Sequence, residues 1–185
     1  SGSTNVRSMI GPNGGKKIKD KQKIYFLKSN DEKSNYRLNY KYGKKTNIIR
    51  IIKGPQIHYF EKKIIKKFIL SRYIISNNID RMGIRLNGHK ITSYKSSNIQ
   101  SEGIVKGSIQ VPADGNPIVL MSDHPTIGGY PKIATVIFCD IPKLSQLSPG
   151  KQIFFKFITL LDAEKELIKN TKFLNEIFQS IETIY

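Results

Sequence analysis

Turn signals recur at short, regular intervals between residues 73 and 157, and this spacing constrains the fold more than any other feature of the chain. Asn87-Gly88, Asp114-Gly115, Gly128-Gly129-Tyr130-Pro131 and Ser148-Pro149-Gly150 punctuate apolar runs at residues 82–86, 91–94, 108–111, 118–121, 133–139 and 153–157. Many short runs without helical periodicity imply an antiparallel barrel or sandwich. In Leu86-Asn87-Gly88-His89, the Asn-Gly pair is expected to turn a tight hairpin between residues 82–86 and 91–94, because both central residues of such a turn need positive φ. Asp114-Gly115 is expected to play a similar part between residues 108–111 and 118–121.

Two segments depart from that rhythm. Gly54-Pro55 breaks the chain, and Phe60, Ile64 and Phe68, four apart, predict a helix over residues 56–71 with a Lys-rich outer face. In the tail, Leu167, Leu174, Ile177, Phe178 and Ile181 share one helical face, with Thr159 or Asp162 placed to cap the start. This helix is expected to pack on the barrel. Ahead of Gly54, residues 1–20 read as a Gly- and Lys-rich loop, followed by short strands near residues 24–27, 36–42 and 47–52.

A length of 185 residues suits one domain, or a domain and part of another, and 38% hydrophobic with 24% charged residues is a globular composition. The single cysteine, Cys139, excludes an internal disulfide and a Cys-rich zinc site and fits a reducing, cytoplasmic setting. No apolar run approaches the roughly 18 residues needed to cross a bilayer, and residues 1–8 lack an apolar signal core. A soluble protein with no membrane partner is expected. The net charge of +17 raises nucleic acid as a partner. Yet most basic residues are lysines scattered among Ile and Asn, the pattern of AT-rich coding, which argues against a nucleic-acid face. Tyr36, Tyr40 and Tyr42 alternate with Arg37, Lys41, Lys44 and Lys45, as they would in a strand with its aromatic side buried.

Several motifs are excluded by spacing. Gly11-Pro12-Asn13-Gly14-Gly15-Lys16-Lys17 lacks the spacing, the hydroxyl residue and the preceding strand of a phosphate-binding loop. His58, His89 and His124 show none of the short pairings that hold metals, so no metal is expected. Gly-x-Ser-x-Gly is absent. Biotin carriers resemble one another in a Met-Lys-Met hairpin, and Met9, Met82 and Met121 are each followed by a residue other than Lys. No covalently bound biotin is expected on this chain.

Residues 80–135 concentrate glycine, which lets backbone approach a ligand, together with Arg, Glu, Gln, Asp and Lys as convergent polar groups. Barrel corners and bulges would use the same glycines. Here the order of motifs carries a resemblance. Arg81-Met82-Gly83-x-Arg85-Leu86-x-Gly88, Ser101-Glu102-Gly103, Gly107-x-Ile109-Gln110-Val111-Pro112-x-x-Gly115-x-Pro117 and Gly128-Gly129-Tyr130-Pro131-Lys132-Ile133-Ala134 follow one another at compatible spacing. Ile52-x-Gly54-Pro55-Gln56 and Leu144-x-Gln146-Leu147-x-Pro149-Gly150 extend the match on either side. Together they resemble the biotin-dependent carboxyltransferase family that includes the C subunit of bacterial 5-oxoprolinase, the antagonist of the Kip kinase inhibitor, allophanate hydrolase subunit 2 and the carboxyltransferase part of urea amidolyase.

The resemblance implies a mainly β chain with two helices, built as a cyclophilin-like antiparallel β-barrel. It implies a remnant of a first subdomain with linking strands at residues 1–53, the second subdomain at 54–158 and a C-terminal helix at 159–185. The opening residues Gly2 to Arg7 match a point well inside the family pattern, so an N-terminally truncated member, inactive alone, is expected. The implied activity is that of a carboxyltransferase-domain subunit in an ATP-dependent 5-oxoprolinase or allophanate hydrolase-type complex acting on a small amide or lactam. The implied partners are a sibling Kip-inhibitor-like carboxyltransferase subunit and a LamB-like subunit, with ATP used in the complex. From their chemistry, Glu102, Asp123 and Lys132 are the candidate catalytic residues. Arg81 and Arg85 are candidate carboxylate anchors, Gln110 a polar site group, and Gly128, Gly129 and Tyr130 shape the pocket. Pairing of Glu102 or Asp123 with an Arg as a structural salt bridge is the rival reading of these charges. A non-catalytic regulatory partner of the inhibitor-like subunit is the alternative function, and low-specificity nucleic-acid binding the third.

Overall fold

The β-branched run Ile48–Lys53 favours an extended strand, and side-chain alternation turns Ile49 and Ile51 fully inward. The computed structural model describes residues 9, 11–23, 25, 36–38, 46–179 and 181–183. The chain forms two compact units, Ser1–Arg37 with Glu182–Tyr185, and Leu38–Ile181. In chain order the strands and α-helices are β1 (Tyr36–Leu38), β2 (Ile48–Lys53), α1 (Lys62–Leu70), β3 (Arg72–Ile79), β4 (Gly83–Gly88), β5 (Glu102–Gly103) and β6 (Ser108–Gln110). They continue with β7 (Ile118–Leu120), β8 (Ile127–Gly128), β9 (Lys132–Val136), α2 (Ile141–Ser145), β10 (Gln152–Phe157), α3 (Leu160–Gln179) and β11 (Ile181–Thr183).

Seven strands close a barrel in the order β10-β2-β9-β6-β7-β4-β3. Every described pairing around it is antiparallel except β2 with β10, which run parallel from Phe154 opposite Ile48 to Phe157 opposite Ile51. Closure removes exposed strand edges and leaves one apolar interior. That interior is filled by Ile49, Ile51, Ile75, Ile84, Leu86, Ile109, Val119, Ile133 and Ile153. Helix α1 lays Phe68 onto this core, with ring centroids 4.9 Å from Phe155 and 5.7 Å from Tyr73. Truncating such a buried ring costs about 3–5 kcal/mol, so α1 is part of the core. β1 and β11 form a separate two-stranded sheet, and β5 and β8 another.

Four local expectations meet a different outcome. Asn87-Gly88 ends β4 without turning a hairpin: β4 pairs with β3 and β7, and residues 91–94 form no strand. Gly88 is needed for close approach, since a Cβ there would lie 2.7 Å from the Tyr73 ring and 2.9 Å from the Arg72 carbonyl. The helix expected over residues 56–71 starts only at Lys62, because Gly54 and Gln56 donate backbone hydrogen bonds to Ile133 and Lys132 and a 3-10 turn, Ile57–Tyr59, intervenes. Beside the two expected helices stands α2, whose five residues are too few to show a helical period.

The tail helix starts as expected, with Thr159 Oγ1 accepting the Asp162 N–H at 3.1 Å. Its facing differs: the partly covered stripe is Ala163, Glu166, Asn170, Phe173 and Ile177, while Leu167, Leu174 and Phe178 stay exposed and Ile181 lies in β11. Asp114-Gly115 does turn β6 into β7, with Gly115 at φ 76°. In the first unit, Gly11-Pro12-Asn13-Gly14-Gly15 closes on itself, as the Lys16 N–H bonds to the Asn13 carbonyl and Gln22 Nε2 donates to Asn13 Oδ1. The strand expected at residues 24–27 lies largely outside the described residues, as do residues 39–42 of its neighbour. No helix among the described residues is long and apolar enough to cross a membrane.

Candidate functional site

Lys132 opens β9, yet its side chain is only 3% exposed. Burying an ammonium is unfavourable unless something answers its charge and its three N–H donors. The outer wall over Lys132 is the segment after β2. A Cβ at Gly54 would collide with the Lys132 carbonyl and lie 2.7 Å from the Ala134 nitrogen, so only glycine lets the chain pass this close. That passage delivers Gln56, whose Oε1 accepts the Lys132 backbone N–H at 3.2 Å. Gln56 Nε2 donates to Glu102 Oε1 at 2.8 Å, and the same oxygen stands 2.5 Å from Lys132 Nζ.

Glu102 stands on the two-residue strand β5. The loop that carries it is pinned at several points: Ser93 Oγ and the Tyr94 N–H both donate to the Tyr59 carbonyl, and the Tyr94 hydroxyl donates to the His58 carbonyl. Lys95 Nζ sits over the Tyr59 ring, and the Ile99 N–H meets the Gly129 carbonyl. The neighbouring Lys132 ammonium and the Gln56 amide together hold the Glu102 carboxyl below its ordinary range.

Gln110 joins the cluster through a register irregularity. Ile109 faces Ala134 but Gln110 faces Lys132, so one step on β6 spans two on β9, as a bulge does. Gln110 is 5% exposed, and its amide lies where a side chain on Gly128 would be: a Cβ there would come within 2.6 Å of Gln110 Nε2. Gly128 itself is the cross-strand partner of Glu102. Glu102, Gln110, Gly128 and Lys132 thus converge, together with Gln56. The signal for Gln56 in the sequence was only its place after Gly54-Pro55; its contact with Lys132 depends on packing.

The cluster is short of acceptors. Gln110 Nε2 is buried without a hydrogen-bond acceptor, and Lys132 Nζ has its ion pair but no acceptor in hydrogen-bonding geometry. Left unmet, each such group costs about 1–3 kcal/mol. Lys132 and Gln110 are cross-strand partners, one beside Glu102 and the other beside its strand partner Gly128, and buried donors so placed can receive a carbonyl or carboxylate oxygen.

The other expected site residues form separate pairs. Arg81 grips Asp123 with Nε at 2.8 Å from Oδ2 and Nη2 at 2.9 Å from Oδ1, and the Asp123 N–H bonds to the Arg81 carbonyl. Arg85 Nη1 lies 2.6 Å from Asp114 Oδ2. A groove lined by Asp80, Arg81, Ile84 and Met121 includes none of Gln56, Glu102, Gln110 or Lys132. Unsatisfied buried donors are the stronger mark of a binding site than that open surface. Gly129 supports the loop through its carbonyl, and Tyr130 is 39% exposed. Among the described residues, no three His, Cys, Asp or Glu side chains gather as a metal site would require.

The chain has relatives. The family described as carboxyltransferase domain, subdomain A and B, matches residues 1–157. The 5-oxoprolinase C subunit of Haemophilus influenzae is 47% identical over 77 residues, which is 42% of this chain and 25% of the relative. That of Escherichia coli is 32% identical over 119 residues, 64% of this chain and 38% of the relative. The matched part therefore spans well under half of either curated relative. The crystal structure of the K. lactis urea amidolyase superposes with a TM-score of 0.66 at 26% identity, over 70% of this chain and 8% of that one. With the family match covering residues 1–157 of its 185, the chain belongs to the carboxyltransferase-domain family.

Proposed function

We propose that this chain serves as a carboxyltransferase-domain subunit in a 5-oxoprolinase-type complex, acting on a small amide or lactam with Lys132 and Gln110 as the groups that hold the substrate's oxygen. The observation that carries this reading is a buried amide donor without an acceptor, Gln110 Nε2, on the cross-strand neighbour of a buried Lys132 whose ammonium is answered only by the half-exposed Glu102 among the described residues, in a chain similar to 5-oxoprolinase C subunits. In such a site the two donors draw electron density from an amide carbonyl and leave its carbon open to attack. Glu102, an ionised carboxylate beside them, is the one carboxylate within reach of Lys132 among the described residues and so the candidate base. The partners in this reading are sibling subunits, which the relatives' being named as subunits supports, and ATP consumption by the assembled complex is carried over from the family resemblance alone. Arg81 and Asp123 satisfy each other and fall outside this role.

The test is ATP-dependent conversion of 5-oxoproline to glutamate by the complex reconstituted from this chain and its sibling subunits. Lys132→Met is expected to reduce turnover at least about 100-fold, as loss of an oxygen-binding donor does, and Arg81→Ala to leave it within about threefold. Full turnover with Lys132→Met would refute the site. Stable assembly without turnover of 5-oxoproline or another amide would leave the chain a regulatory partner and refute the enzymatic reading.

A further inference from the structure

Glu102 is the unusual member of the cluster. It supplies the only counter-charge within ion-pair distance of Lys132 among the described residues, yet its own side chain is 43% exposed. It rides on a two-residue strand that pairs only with β8, outside the barrel. Its Oε1 takes both Lys132 Nζ and Gln56 Nε2, while Gln110 Nε2 receives nothing. A carboxylate offers about four lone-pair sites, and here one oxygen meets two groups of a set of three.

We propose that Lys132 Nζ, Gln110 Nε2 and Gln56 Nε2 form a binding site for a small carboxylate, and that Glu102 partly fills it from within the chain as a displaceable stand-in. An incoming carboxylate replaces the Glu102 oxygen at Lys132 and extends to the amide of Gln110, which Glu102 leaves unmet. Glu102 is free to turn outward because its exposed side adjoins solvent and its strand contributes nothing to the barrel ladder. Gly128 keeps the Gln110 amide in place by leaving room for it. The site is that of the proposed function, and the inference rests on that reading only for location: binding is read on this chain alone, without sibling subunits, ATP or turnover.

The probe is sodium acetate, titrated at constant ionic strength with chloride as the balancing anion and followed through the side-chain amide resonances of Gln56 and Gln110. Removing the internal competitor with Glu102→Gln is expected to tighten acetate binding at least about tenfold, the scale of a hydrogen bond to a charged group. On that background, Gln110→Leu, which leaves the buried charge untouched, is expected to weaken acetate about tenfold, and Lys132→Met to abolish binding. Acetamide, isosteric but neutral, is expected to bind more weakly than acetate. Equal acetate affinity in wild type and Glu102→Gln would overturn the proposal. So would acetate binding that survives both Gln110→Leu and Lys132→Met, or acetamide binding as tightly as acetate.

Discussion

Two buried ionic clusters in the barrel unit answer the same problem in opposite ways. Asp140 is fully buried, and each of its oxygens is saturated. Oδ2 accepts from Arg50 N at 2.8 Å and Nε at 3.0 Å, while Oδ1 accepts from Arg50 Nη2 at 2.8 Å and stands 2.7 Å from Lys143 Nζ. Arg50 Nη1 then reaches Glu166 on α3 at 2.6 Å, tying that helix to β2. The Lys132 cluster is built from one Lys–Glu pair and two amides but leaves the Gln110 amide unmet and the Lys132 ammonium with one partner, itself half exposed, among the described residues. A closed network is structural because any ligand would have to break a bond to enter. An open one stores unfavourable polar burial that a ligand relieves.

The contrast breaks if the two clusters respond alike to losing their central charge. Asp140→Ala strands the Arg50 backbone N–H and most of its guanidinium, and is expected to destabilise the fold by about 3 kcal/mol, the low end for a broken buried pair because Glu166 still holds Nη1. Lys132→Met keeps much of the apolar stem and leaves behind a Glu102 carboxylate that is 43% exposed and can be met by solvent, so stability is expected to stay within about 1 kcal/mol of wild type. Urea midpoints at unchanged m-value measure both. A larger loss from Lys132→Met than from Asp140→Ala would show that the two clusters had been assigned the wrong way round.

Acid sharpens the comparison at smaller scale. Burial alone would raise the Asp140 carboxyl, but hydrogen bonds from Arg50 and Lys143 outweigh it and hold it below the ordinary 3.8. Lys132 and Gln56 hold Glu102 below its ordinary 4.5. Both folded values are depressed, so both stabilise fully above the unfolded values and lose that contribution as pH falls through the lower folded ones. Stability is expected to decline from about pH 4 downward, with the steeper part of the decline removed by Asp140→Asn and only a shallow part by Glu102→Gln, whose exposure screens its pair. Denaturation midpoints between pH 5 and pH 2 read this difference. Equal flattening by the two variants would contradict it.

The smallest expected effect on stability is that of Gly128→Ala. The atoms its Cβ would meet are the tips of Gln110 and Ile104, side chains that can give way, so the cost is expected to stay below about 1 kcal/mol. The displaced Gln110 amide is nonetheless expected to weaken acetate binding in the Glu102→Gln background severalfold. A loss of stability without any change in binding would place Gly128 with the barrel corners instead of the site.

Much of the fold was legible because it rests on local rules. Alternation placed Ile49, Ile51, Ile153 and Phe155 inside, Asp114-Gly115 turned its hairpin, and Thr159 capped its helix. Legibility failed where a distant surface decided the outcome. Asn87-Gly88 has the chemistry of a tight turn, yet Gly88 is there to clear the Tyr73 ring. Leu167, Leu174 and Phe178 carry the apolar pattern of α3, but the ties of Glu166 to Arg50 and Cys139 bring a neighbouring stripe inward. In the candidate site, Glu102, Gln110, Gly128 and Lys132 stood out as polar groups and glycines in an ordered set of motifs. The motifs included Gln56 without its contact to Lys132, and the rival reading allowed Asp123 to pair with an Arg without saying which; the partners Arg81–Asp123 and Arg85–Asp114 are 42 and 29 positions apart and were fixed only by the fold.

By itself the sequence determined a fold of many short strands, barrel or sandwich, a terminal helix and the residue types of the site, because strand alternation, turn conformation and capping are settled within a few bonds of each residue. Tertiary structure alone decided which charges are spent on one another and which remain available. That outcome depends on the bulge that sets Gln110 opposite Lys132, on the passage that Gly54 allows, and on the loop that brings Glu102 to Lys132 and Gln56. Hydrogen bonds and ion pairs act over about 3 Å, so the same lysine is a spent structural charge or a binding group according to what the fold places within that distance.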